Sequence, residues 1–576
     1  MWFIISLLSF TLLSPCVRGA SEVTIKLKQG YVRGYMDPDG GFYAFYGIPY
    51  ATAPTGDNKF QAPLPGPIWL DTLEAVDNTI ICPQINDPFQ LVPQNMKIKE
   101  DCLIANVFLP DTKEKNLPVV VYVHGGAFQV GYGNLFTYKQ LVRSKRVVIV
   151  TFNYRLGAHG FLCLGTEDVP GNAGMKDQVA LLRWVNQNIA KFGGNPEDVT
   201  IAGYSAGSSS VDLLMLSKSA KGLFHKVIPE SGASTAAFSV QTDPIESAKE
   251  YAKLLNYTGN GSIVDLENYY KSLSYDTLMT ADVMNRRDSV FLMSPCIERK
   301  ETKELFLSES PDNILKSGAY PKVPILYGFA SMEGLFRVGL FDEWKQAMTD
   351  DFEAFLSPDL EFESDDQKQK VTKKIKEFYF GQSTIDNDDI YGYINYFTDV
   401  LFAYPTLRAV KLHVEAGHNQ IYLYEFSFVH DELPIIPHTN IRGVGHCSQT
   451  NTVSDGFFGT NYTNSKLEEM RTLTRRIWLN FITTGKPISE DSELPPWPPV
   501  GKNWSPHMSL DLPLSLRGSL LKERTLFWDQ IYEEHYRQPI PPPAATCYRL
   551  YFNWLIYTNS SLLQNKHYIN VSSMTP

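Results

Sequence analysis

The sequence predicts an α/β fold in which a mostly parallel central sheet has helices on both faces, with additional helical covering insertions. Two observations support this class. From about Pro118 onward, short runs rich in β-branched residues alternate with stretches of helical periodicity, which is typical of parallel strands joined by helices. The runs at 118–125 and 146–154 are almost continuously apolar, as expected for strands buried on both faces of a parallel sheet.

The remaining elements follow in chain order. Residues 175–194 carry apolar side chains at 3.6-residue spacing and end at two glycines, which predicts a helix. Three further apolar runs, at 198–203, 323–329 and 420–428, are predicted strands. The polar, helix-rich spans at 240–320 and 340–415 contain no Pro/Ser linker. We therefore interpret both spans as covering insertions of a single domain.

Both ends of the chain are predicted to lie outside this domain, which spans residues 20–537. Residues 1–13 form an apolar run followed by Pro15 and small residues, which is typical of a signal peptide that ends at residue 19 and is too short to cross a membrane. Residues 538–576 comprise a Pro-rich linker and a tail of unknown role. We expect a secreted, extracellular protein with no membrane span.

Composition excludes several classes of protein. The chain has 52 Lys and Arg residues against 63 Asp and Glu residues, a formal net charge of −11. Because an acidic chain lacks the basic surface that nucleic acids need, no nucleic-acid partner is expected. Charged residues at 20% and aromatic residues at 13% argue against disorder. A monomer is favoured.

Glycosylation sequons and cysteines agree with an extracellular location. Six sequons predict glycosylated surface loops: Asn256, Asn260, Asn461, Asn503, Asn559 and Asn570. Glycosylation is least expected at Asn503, because Pro506 follows its sequon. Cys82 and Cys102 are close enough in sequence to close one N-terminal loop. The other cysteines of the mature chain lack metal-ligand spacing, and most are expected to be buried thiols: Cys163, Cys296, Cys447 and Cys547.

The motif Gly203-Tyr204-Ser205-Ala206-Gly207 lies between a predicted strand and a helical stretch. In such a turn the chain reverses so sharply that a side chain two positions before or after the serine would collide with its surroundings, which explains the two glycines. The serine hydroxyl then lies at the N-terminal end of a helix, where backbone N–H groups favour negative charge. Ser205 is the predicted nucleophile.

A loop of small residues precedes this turn in the chain. His124-Gly125-Gly126-Ala127-Phe128 directly follows a predicted strand, and its backbone N–H groups can approach a substrate oxygen. We predict that the N–H groups of Gly126, Ala127 and Ala206 form an oxyanion hole, in which loss of one donor costs about 10²-fold to 10³-fold in rate.

The serine also needs a base and an acid, in the chain order Ser, then Asp or Glu, then His. Glu333 follows the strand at 323–329, where a carboxylate reaches the carboxyl edge of the sheet. His446 follows the strand at 420–428 and is flanked by glycines. The residues alone leave other bases open; His438 is the main rival, and the others are His413, His418 and His430.

From about Ile25 to Tyr532 the sequence resembles the type-B carboxylesterase and cholinesterase-like family of α/β-hydrolases. The motifs that support this resemblance are FYGIPYATAP (45–54), EDCLIANV (100–107), HGGAF (124–128), NYRLGAHGFL (153–162), GNAGMKDQVALLRWVNQNI (171–189), FGGNPEDVTIAGYSAG (192–207), MEG (332–334) and GVGH (443–446). Within the family, the sequence looks most similar to secreted insect carboxylesterases, in particular moth antennal and integument esterases. Juvenile hormone esterases, which usually have Gln at the position of Tyr204, are a weaker match.

The resemblance implies an α/β-hydrolase fold and a serine esterase that requires no metal and no organic cofactor. Carried over position by position, it implies a triad of Ser205, Glu333 and His446, oxyanion donors at Gly126, Ala127 and Ala206, and a disulfide between Cys82 and Cys102. It also places four aromatic residues near the substrate pocket: Phe128, Tyr204, Phe238 and Phe336.

The sequence departs from the family pattern at three points. Cholinesterases carry an acidic residue where this chain has Tyr204, and its 82–102 loop has no tryptophan, so choline esters are disfavoured. In the family, acidic residues often follow the base histidine, whereas this chain has Cys447-Ser448-Gln449. The sequence therefore does not identify which side chain after His446 stabilises it. The family's usual second cysteine pair has no assignable counterpart.

The expected function is hydrolysis of small lipophilic esters to alcohol and carboxylate through an acyl-enzyme. The candidate substrates are odorant or pheromone esters and xenobiotic esters. Three alternatives remain at this level: a catalytically silent binding or adhesion module, a juvenile hormone esterase, and a lipase. Turnover of a chromogenic ester separates the first alternative from the others.

Overall fold

The computed structural model describes residues 21–85, 92–455 and 464–544. The predicted signal peptide, Cys547 and the tail beyond residue 544 lie outside these described residues, as do three of the sequons: Asn461, Asn559 and Asn570. Within the described ranges, thirteen strands form one mixed sheet, and two short two-stranded sheets accompany it.

The strands fall into an N-terminal group that pairs mostly antiparallel and a later group that forms the mostly parallel part of the sheet. The first group is β1 (Glu22–Lys26), β2 (Tyr31–Met36), β3 (Phe42–Pro49), β4 (Ala51–Thr52), β5 (Leu64–Pro65), β6 (Leu73–Glu74), β7 (Ile80–Ile81), β8 (Lys97–Ile98) and β9 (Ile104–Pro110). The second group is β10 (Leu117–Val123), β11 (Val148–Phe152), β12 (Gly194–Tyr204), β13 (Lys226–Glu230), β14 (Ile325–Ala330), β15 (Ile421–Phe426), β16 (His507–Leu510) and β17 (Ser515–Arg517).

In the large sheet the spatial order is β1-β2-β3-β9-β11-β10-β12-β13-β14-β15-β16-β17, with β6 beside β2. The strands from β11 through β16 pair in parallel, whereas β3, β9 and β17 pair antiparallel with their neighbours. The predicted α/β class is therefore confirmed. The antiparallel part was not predicted; its outer strands β1 and β2 are half-exposed and lack the continuous apolar runs of the parallel part.

Helices cover both faces of the sheet. They are α1 (Lys139–Arg143), α2 (Gly157–Phe161), α3 (Ala173–Asn188), α4 (Ala206–Leu216), α5 (Pro244–Leu254), α6 (Ile263–Ser272), α7 (Tyr275–Leu278), α8 (Pro311–Ser317), α9 (Phe341–Asp350), α10 (Asp365–Phe380), α11 (Ile390–Thr398), α12 (Tyr404–Glu415), α13 (Thr450–Val453), α14 (Ser465–Thr484) and α15 (Lys522–His535). Short 3₁₀ turns lie at Gly56–Asn58, Ile189–Phe192, Lys218–Ala220, Glu333–Leu340, Phe352–Phe355, Asn387–Asp389 and Lys502–Trp504, and a π-helical turn lies at Asp399–Ala403.

Strand β10 shows why the sequence forms a sheet buried on both faces. Val119, Val121 and Val123 point into one hydrophobic core, and Val120 and Tyr122 point into the other. Since successive side chains of a strand alternate between faces, a continuous apolar run buries both faces. The helix-rich spans predicted as insertions contain α5 to α8 and α9 to α12. None of the helices in the described part of the chain is long and apolar enough to span a bilayer.

Two disulfides cross-link the described residues. Cys82–Cys102 closes a loop with a sequence separation of 20, and Cys163–Cys296 links residues 133 positions apart. The expectation that Cys163 and Cys296 are thiols is therefore wrong. The fold brings them together because the backbone amide and carbonyl of Cys296 both bond the side chain of Asn172, which lies just before α3. That separation is too large for the pairing to be read from sequence.

Cys447 is a buried free thiol, as expected. Burial raises the pKa of this thiol well above its usual value, and the nearby carboxyl groups of Glu333 and Glu230 raise it further. The thiolate is the reactive form of cysteine. Cys447 is therefore an unreactive packing residue at ordinary pH, despite its position next to His446.

Candidate active site

The turn at Ser205 is built from the end of β12 and the start of α4. Ser205 has φ 56° and ψ −126°, a conformation that non-glycine residues rarely adopt. A Cβ atom at Gly203 would lie 2.4 Å from the carbonyl oxygen of Gly207, and one at Gly207 would lie 2.2 Å from that of Val123. Both glycines are therefore required by close backbone contacts, as the sequence predicts.

A continuous hydrogen-bond chain joins three side chains from distant parts of the sequence. The hydroxyl Oγ of Ser205 lies 2.9 Å from His446 Nε2, and His446 Nδ1 lies 2.5 Å from Glu333 Oε2. Glu333 is fully buried three residues beyond the end of β14, and the side chain of His446 is 12% exposed. The structure thus brings together the three residues that the sequence singles out.

The Glu333 carboxylate is held on its other oxygen as well. Oε1 accepts hydrogen bonds from the backbone N–H of Ala330 at 2.7 Å and from the hydroxyl of Ser231 at 2.5 Å. Gln449 Nε2 in turn donates to Ser231 Oγ at 2.6 Å. The residues after His446, which lack the usual acidic group, therefore support the site through the amide of Gln449.

Two phenylalanine rings enclose the imidazole of His446. The ring of Phe402 stacks on it with centroids 4.1 Å apart, and Phe336 contacts it edge-on at 5.2 Å. Phe402 lies in the π-helical turn Asp399–Ala403. Such turns occur mostly as single-turn bulges within α-helices and are frequent at functional sites. The rings restrict the imidazole to a plane in which both of its nitrogens keep their partners.

The small-residue loop after β10 approaches Ser205 from the other side. Gly126 has φ 108° and Ala127 has φ 56°, and a Cβ atom on Gly126 would lie 2.0 Å from the carbonyl oxygen of Val130. The backbone N–H of Gly131 donates to Gln84 Oε1 at 2.9 Å, and Gln84 Nε2 donates back to the Gly131 carbonyl at 3.2 Å. Because Gln84 lies inside the Cys82–Cys102 loop, that disulfide loop supports the conformation of the small-residue loop.

A cavity of about 550 Å³ opens onto Ser205 and His446. Gly126 and Ala127 line it next to the serine, together with Tyr204, Gly443, Gly445, Cys447, Ser448 and Asn451. Most of its wall consists of apolar side chains: Phe238, Met284, Phe291, Leu335, Phe336, Val338, Phe402, Leu433, Pro434, Ile435, Ile436 and Pro437. The volume lies within the range of small-molecule binding sites, and the wall suits an apolar ligand.

Of the four aromatic residues predicted to lie near the substrate pocket, three line the cavity and one does not. Tyr204, Phe238 and Phe336 line the cavity. The prediction for Phe128 is corrected, because this residue is fully buried, packs against Phe161 with ring centroids 4.9 Å apart and does not line the cavity. Its φ of 62° directs the side chain into the core behind the loop.

The rival histidines have other partners. His438 is exposed and pairs with Asp342, with Nε2 3.0 Å from Oδ1. His413 is buried and its Nδ1 lies 2.7 Å from the hydroxyl of Tyr320. Burial lowers the pKa of His418 to about 4, which opposes a proton-accepting role. His430 stacks on Phe428.

Sequence reasoning missed the residues that support the triad, namely Ser231, Gln449 and Phe402. Ser231 follows the buried strand β13 directly, and its φ of 59° marks an unusual turn at the carboxyl edge of the sheet. A polar residue at that edge was the only available signal. The two others lie in segments whose periodicity does not indicate what they contact.

A serine on a strand-turn-helix unit, hydrogen-bonded to a His–Glu pair at the carboxyl edge of a parallel sheet, defines the class of α/β-hydrolases. A family model for the carboxylesterase family matches residues 21–528 of this chain. The chain therefore belongs to the carboxylesterase family, and it is a carboxylic ester hydrolase.

Individual relatives agree with this assignment. Esterase FE4 of Myzus persicae is 33% identical over 487 residues, which cover 80% of this chain and 83% of that protein. Juvenile hormone esterase of Heliothis virescens is 31% identical over 510 residues, covering 83% and 88%. The crystal structure of juvenile hormone esterase from Manduca sexta, with OTFP covalently attached, is similar with a TM-score of 0.77 and 28% identity, covering 89% of this chain and all of that chain. The finer likeness to moth antennal and integument esterases stays a prediction.

Proposed function

We propose that Ser205 is the nucleophile, His446 the general base and acid, and Glu333 the group that orients and stabilises the imidazolium. The observation that supports these roles is the unbroken hydrogen-bond chain from Ser205 Oγ through both nitrogens of His446 to Glu333. A serine hydroxyl is a weak nucleophile, and an adjacent oriented base is what activates it.

The reaction proceeds in two acyl transfers. His446 Nε2 accepts the Ser205 proton while Oγ bonds to the ester carbonyl carbon, and the carbonyl oxygen becomes an oxyanion. The oxyanion then re-forms the carbonyl, the ester C–O bond breaks, and the proton on Nε2 passes to the leaving alcohol. Water repeats the sequence on the acyl-enzyme, which releases the carboxylate and restores Ser205.

The oxyanion is stabilised in this proposal by the backbone N–H groups of Gly126, Ala127 and Ala206. Gly126 and Ala127 line the cavity beside Ser205, and Ala206 is the first residue of α4. The close backbone packing of Gly126 fixes the loop before substrate arrives. Donors that are already in place contribute most because they need no reorganisation during the reaction.

The substrate class follows from the wall of the cavity. None of its described lining residues is an Asp, Glu, Lys or Arg, so a charged substrate would lose its hydration without a counter-charge. A neutral lipophilic ester fits this wall, such as an odorant or pheromone acetate or a xenobiotic ester. A juvenile hormone ester is a second candidate, because juvenile hormone esterases are among the similar proteins.

We further propose that the protein is secreted after removal of residues 1–19, and that residues 20–537 act as one catalytic domain and a monomer. Asn256, Asn260 and Asn503 are exposed, which supports glycosylation there. Cross-linking by two disulfides also supports an oxidising compartment.

Substrate preference can be measured with acetates of alcohols that lengthen from four to twelve carbons, with acetylthiocholine and with a juvenile hormone. We expect kcat/KM to rise about threefold to fourfold per methylene until the cavity is filled, since each buried CH₂ contributes about 0.8 kcal/mol. A kcat/KM for the hormone above every acetate would select the second candidate. Equal turnover of the choline ester would contradict the neutral-substrate proposal.

A matched pair of variants tests whether the cavity sets this preference. Leu335→Trp narrows the cavity and should remove the gain for long alcohols while short acetates are retained. Ile441→Trp alters an exposed residue outside the cavity lining and should leave the series unchanged. If both variants behave alike, the proposed cavity does not hold the alcohol.

A further inference from the structure

Glu230 is a buried carboxyl group behind the triad to which the mechanism above assigns no role. It is the last residue of β13 and has no solvent exposure. Its backbone carbonyl accepts a hydrogen bond from the N–H of Ser205 at 2.9 Å. The next residue, Ser231, donates to Glu333. Glu230 therefore lies at the junction of the nucleophile turn and the acid.

The side chain of Glu230 connects this junction to the histidine segment. Oε2 accepts a hydrogen bond from the hydroxyl of Thr450 at 3.0 Å, and Oε1 accepts one from the hydroxyl of Tyr424 at 3.2 Å. Thr450 is the first residue of α13, four residues after His446. The hydrogen bond from Gln449 to Ser231 joins the residues that are adjacent in sequence to Thr450 and Glu230. Glu230 at the end of β13 and the residue after it, Ser231, thus hold two adjacent residues that follow the histidine, Thr450 and Gln449.

A small internal cavity adjoins the carboxyl group. Glu230, Tyr424, Gln449 and Trp478 are among its lining residues. Gln449 Oε1 is buried there without a hydrogen-bond partner among the described residues. A buried acceptor without a donor is costly, and a carboxylate beside it would add a second acceptor, so this cavity favours the protonated form of Glu230.

We propose that Glu230 is a positioning residue for ester hydrolysis, holding the segment after His446 in register with the turn at Ser205. This inference rests on the proposed triad. The neutral acid is the form that does this, because burial raises the pKa of Glu230 to about 8 and the carboxylate of Glu333 adds to the increase, although hydrogen bonds from Thr450, Tyr424 and Trp478 oppose it.

Ionisation of Glu230 should weaken this arrangement. The titratable groups that face it are those of Glu333, Cys447, Tyr424 on β15, Tyr122 on β10 and Tyr138 before α1. Burial raises the pKa of each of these tyrosines and of Cys447, so these groups are neutral at pH 7 to 9. A charge on Glu230 therefore acts mainly on Glu333 and, through it, on His446.

Three variants test the inference by steady-state kinetics after active-site titration with an organophosphate. Thr450→Val should lower kcat about tenfold with KM within a factor of two, as expected for loss of one buried hydrogen bond that orients the base. Glu230→Ala loses the bonds from both Thr450 and Tyr424 and should lower kcat at least as much, again with KM within a factor of two. Glu230→Gln should keep kcat within a factor of about three at pH 7, because its amide oxygen can still accept the hydrogen bond from Thr450 and the side chain is neutral. Wild type should lose kcat between pH 7 and 9, and Glu230→Gln should not.

Thr474→Val is the matched control, since Thr474 lines the same cavity but bonds only the carbonyls of Met470 and Arg471 in its own helix. Its kcat and pH profile should equal those of wild type. Unchanged kcat in Thr450→Val, or the same alkaline decrease in Glu230→Gln as in wild type, would overturn the inference. If wild type itself is not titrated by the organophosphate, the proposed triad fails instead, so the two failures are distinguishable.

Discussion

Removal of the Cys163–Cys296 disulfide should destabilise the protein more than removal of Cys82–Cys102. With sequence separations of 133 and 20, the loop-entropy relation gives about 5 and about 3 kcal/mol at 25 °C. Over roughly 500 ordered residues at ~2.1 cal/mol/K per residue, the entropy of unfolding is ~1.1 kcal/mol/K. The expected losses in Tm are therefore about 5 °C and about 3 °C.

The assay is thermal unfolding of the double variants Cys163→Ala/Cys296→Ala and Cys82→Ala/Cys102→Ala at one scan rate. Alanine is used instead of serine because all four sulfurs are buried, and a serine would place a hydroxyl without a hydrogen-bond partner there. Cys447→Ala is the matched control for loss of a buried sulfur without loss of a cross-link, with an expected change of about 1 °C from the small cavity.

Non-reducing peptide mapping of wild type checks the premise that residues 163 and 296 are linked. A Tm for Cys163→Ala/Cys296→Ala equal to that of the Cys447→Ala control would refute the loop-entropy reasoning. So would a larger loss in Cys82→Ala/Cys102→Ala than in the long-loop variant.

Three further predictions concern the site and its support. His446→Ala should lower kcat by about 10⁴-fold or more, whereas His438→Ala, which removes only a contact with Asp342, should stay within twofold in the same chromogenic ester assay; the reverse order would overturn the base assignment. Asp177→Ala should cost about 3–5 kcal/mol in urea unfolding because it leaves the buried Arg155 guanidinium uncompensated, and a loss below 1 kcal/mol would contradict this. Gly207→Ala should abolish active-site titration, since its Cβ would lie 2.2 Å from a carbonyl oxygen of β10; full titration would show that the turn tolerates a side chain.

The parallel sheet was predictable because its strands are buried on both faces and so appear as continuous apolar runs. The strand predicted at 118–125 is observed at Leu117–Val123, and the one predicted at 420–428 at Ile421–Phe426. The sharp turn at Ser205 was predictable for a different reason, since close backbone contacts there admit only glycine at two positions. Steric constraints between neighbouring residues can therefore be recognised in the sequence.

Contacts between segments that are distant in sequence produce no local sequence pattern from which they could be predicted. The Cys163–Cys296 pair depends on the path of 133 intervening residues, and the stacking of Phe402 on His446 depends on a π-helical turn in an insertion. Phe128 belongs to the predicted loop, yet its positive φ turns the ring into the core. Side-chain direction at such positions is set by packing, which periodicity cannot report.

The most direct test of Ser205 as the nucleophile is organophosphate titration of the purified protein during hydrolysis of a short-chain chromogenic ester, with Ser205→Ala and Ser448→Ala measured beside wild type. Ser448 also lines the cavity, but its hydroxyl bonds the carbonyl of Gly445 and not the triad. We expect wild type and Ser448→Ala each to bind one equivalent of inhibitor and to lose all turnover. Folded Ser205→Ala should show neither turnover nor inhibitor incorporation. Stoichiometric incorporation or substantial turnover in Ser205→Ala would show that another residue is the nucleophile.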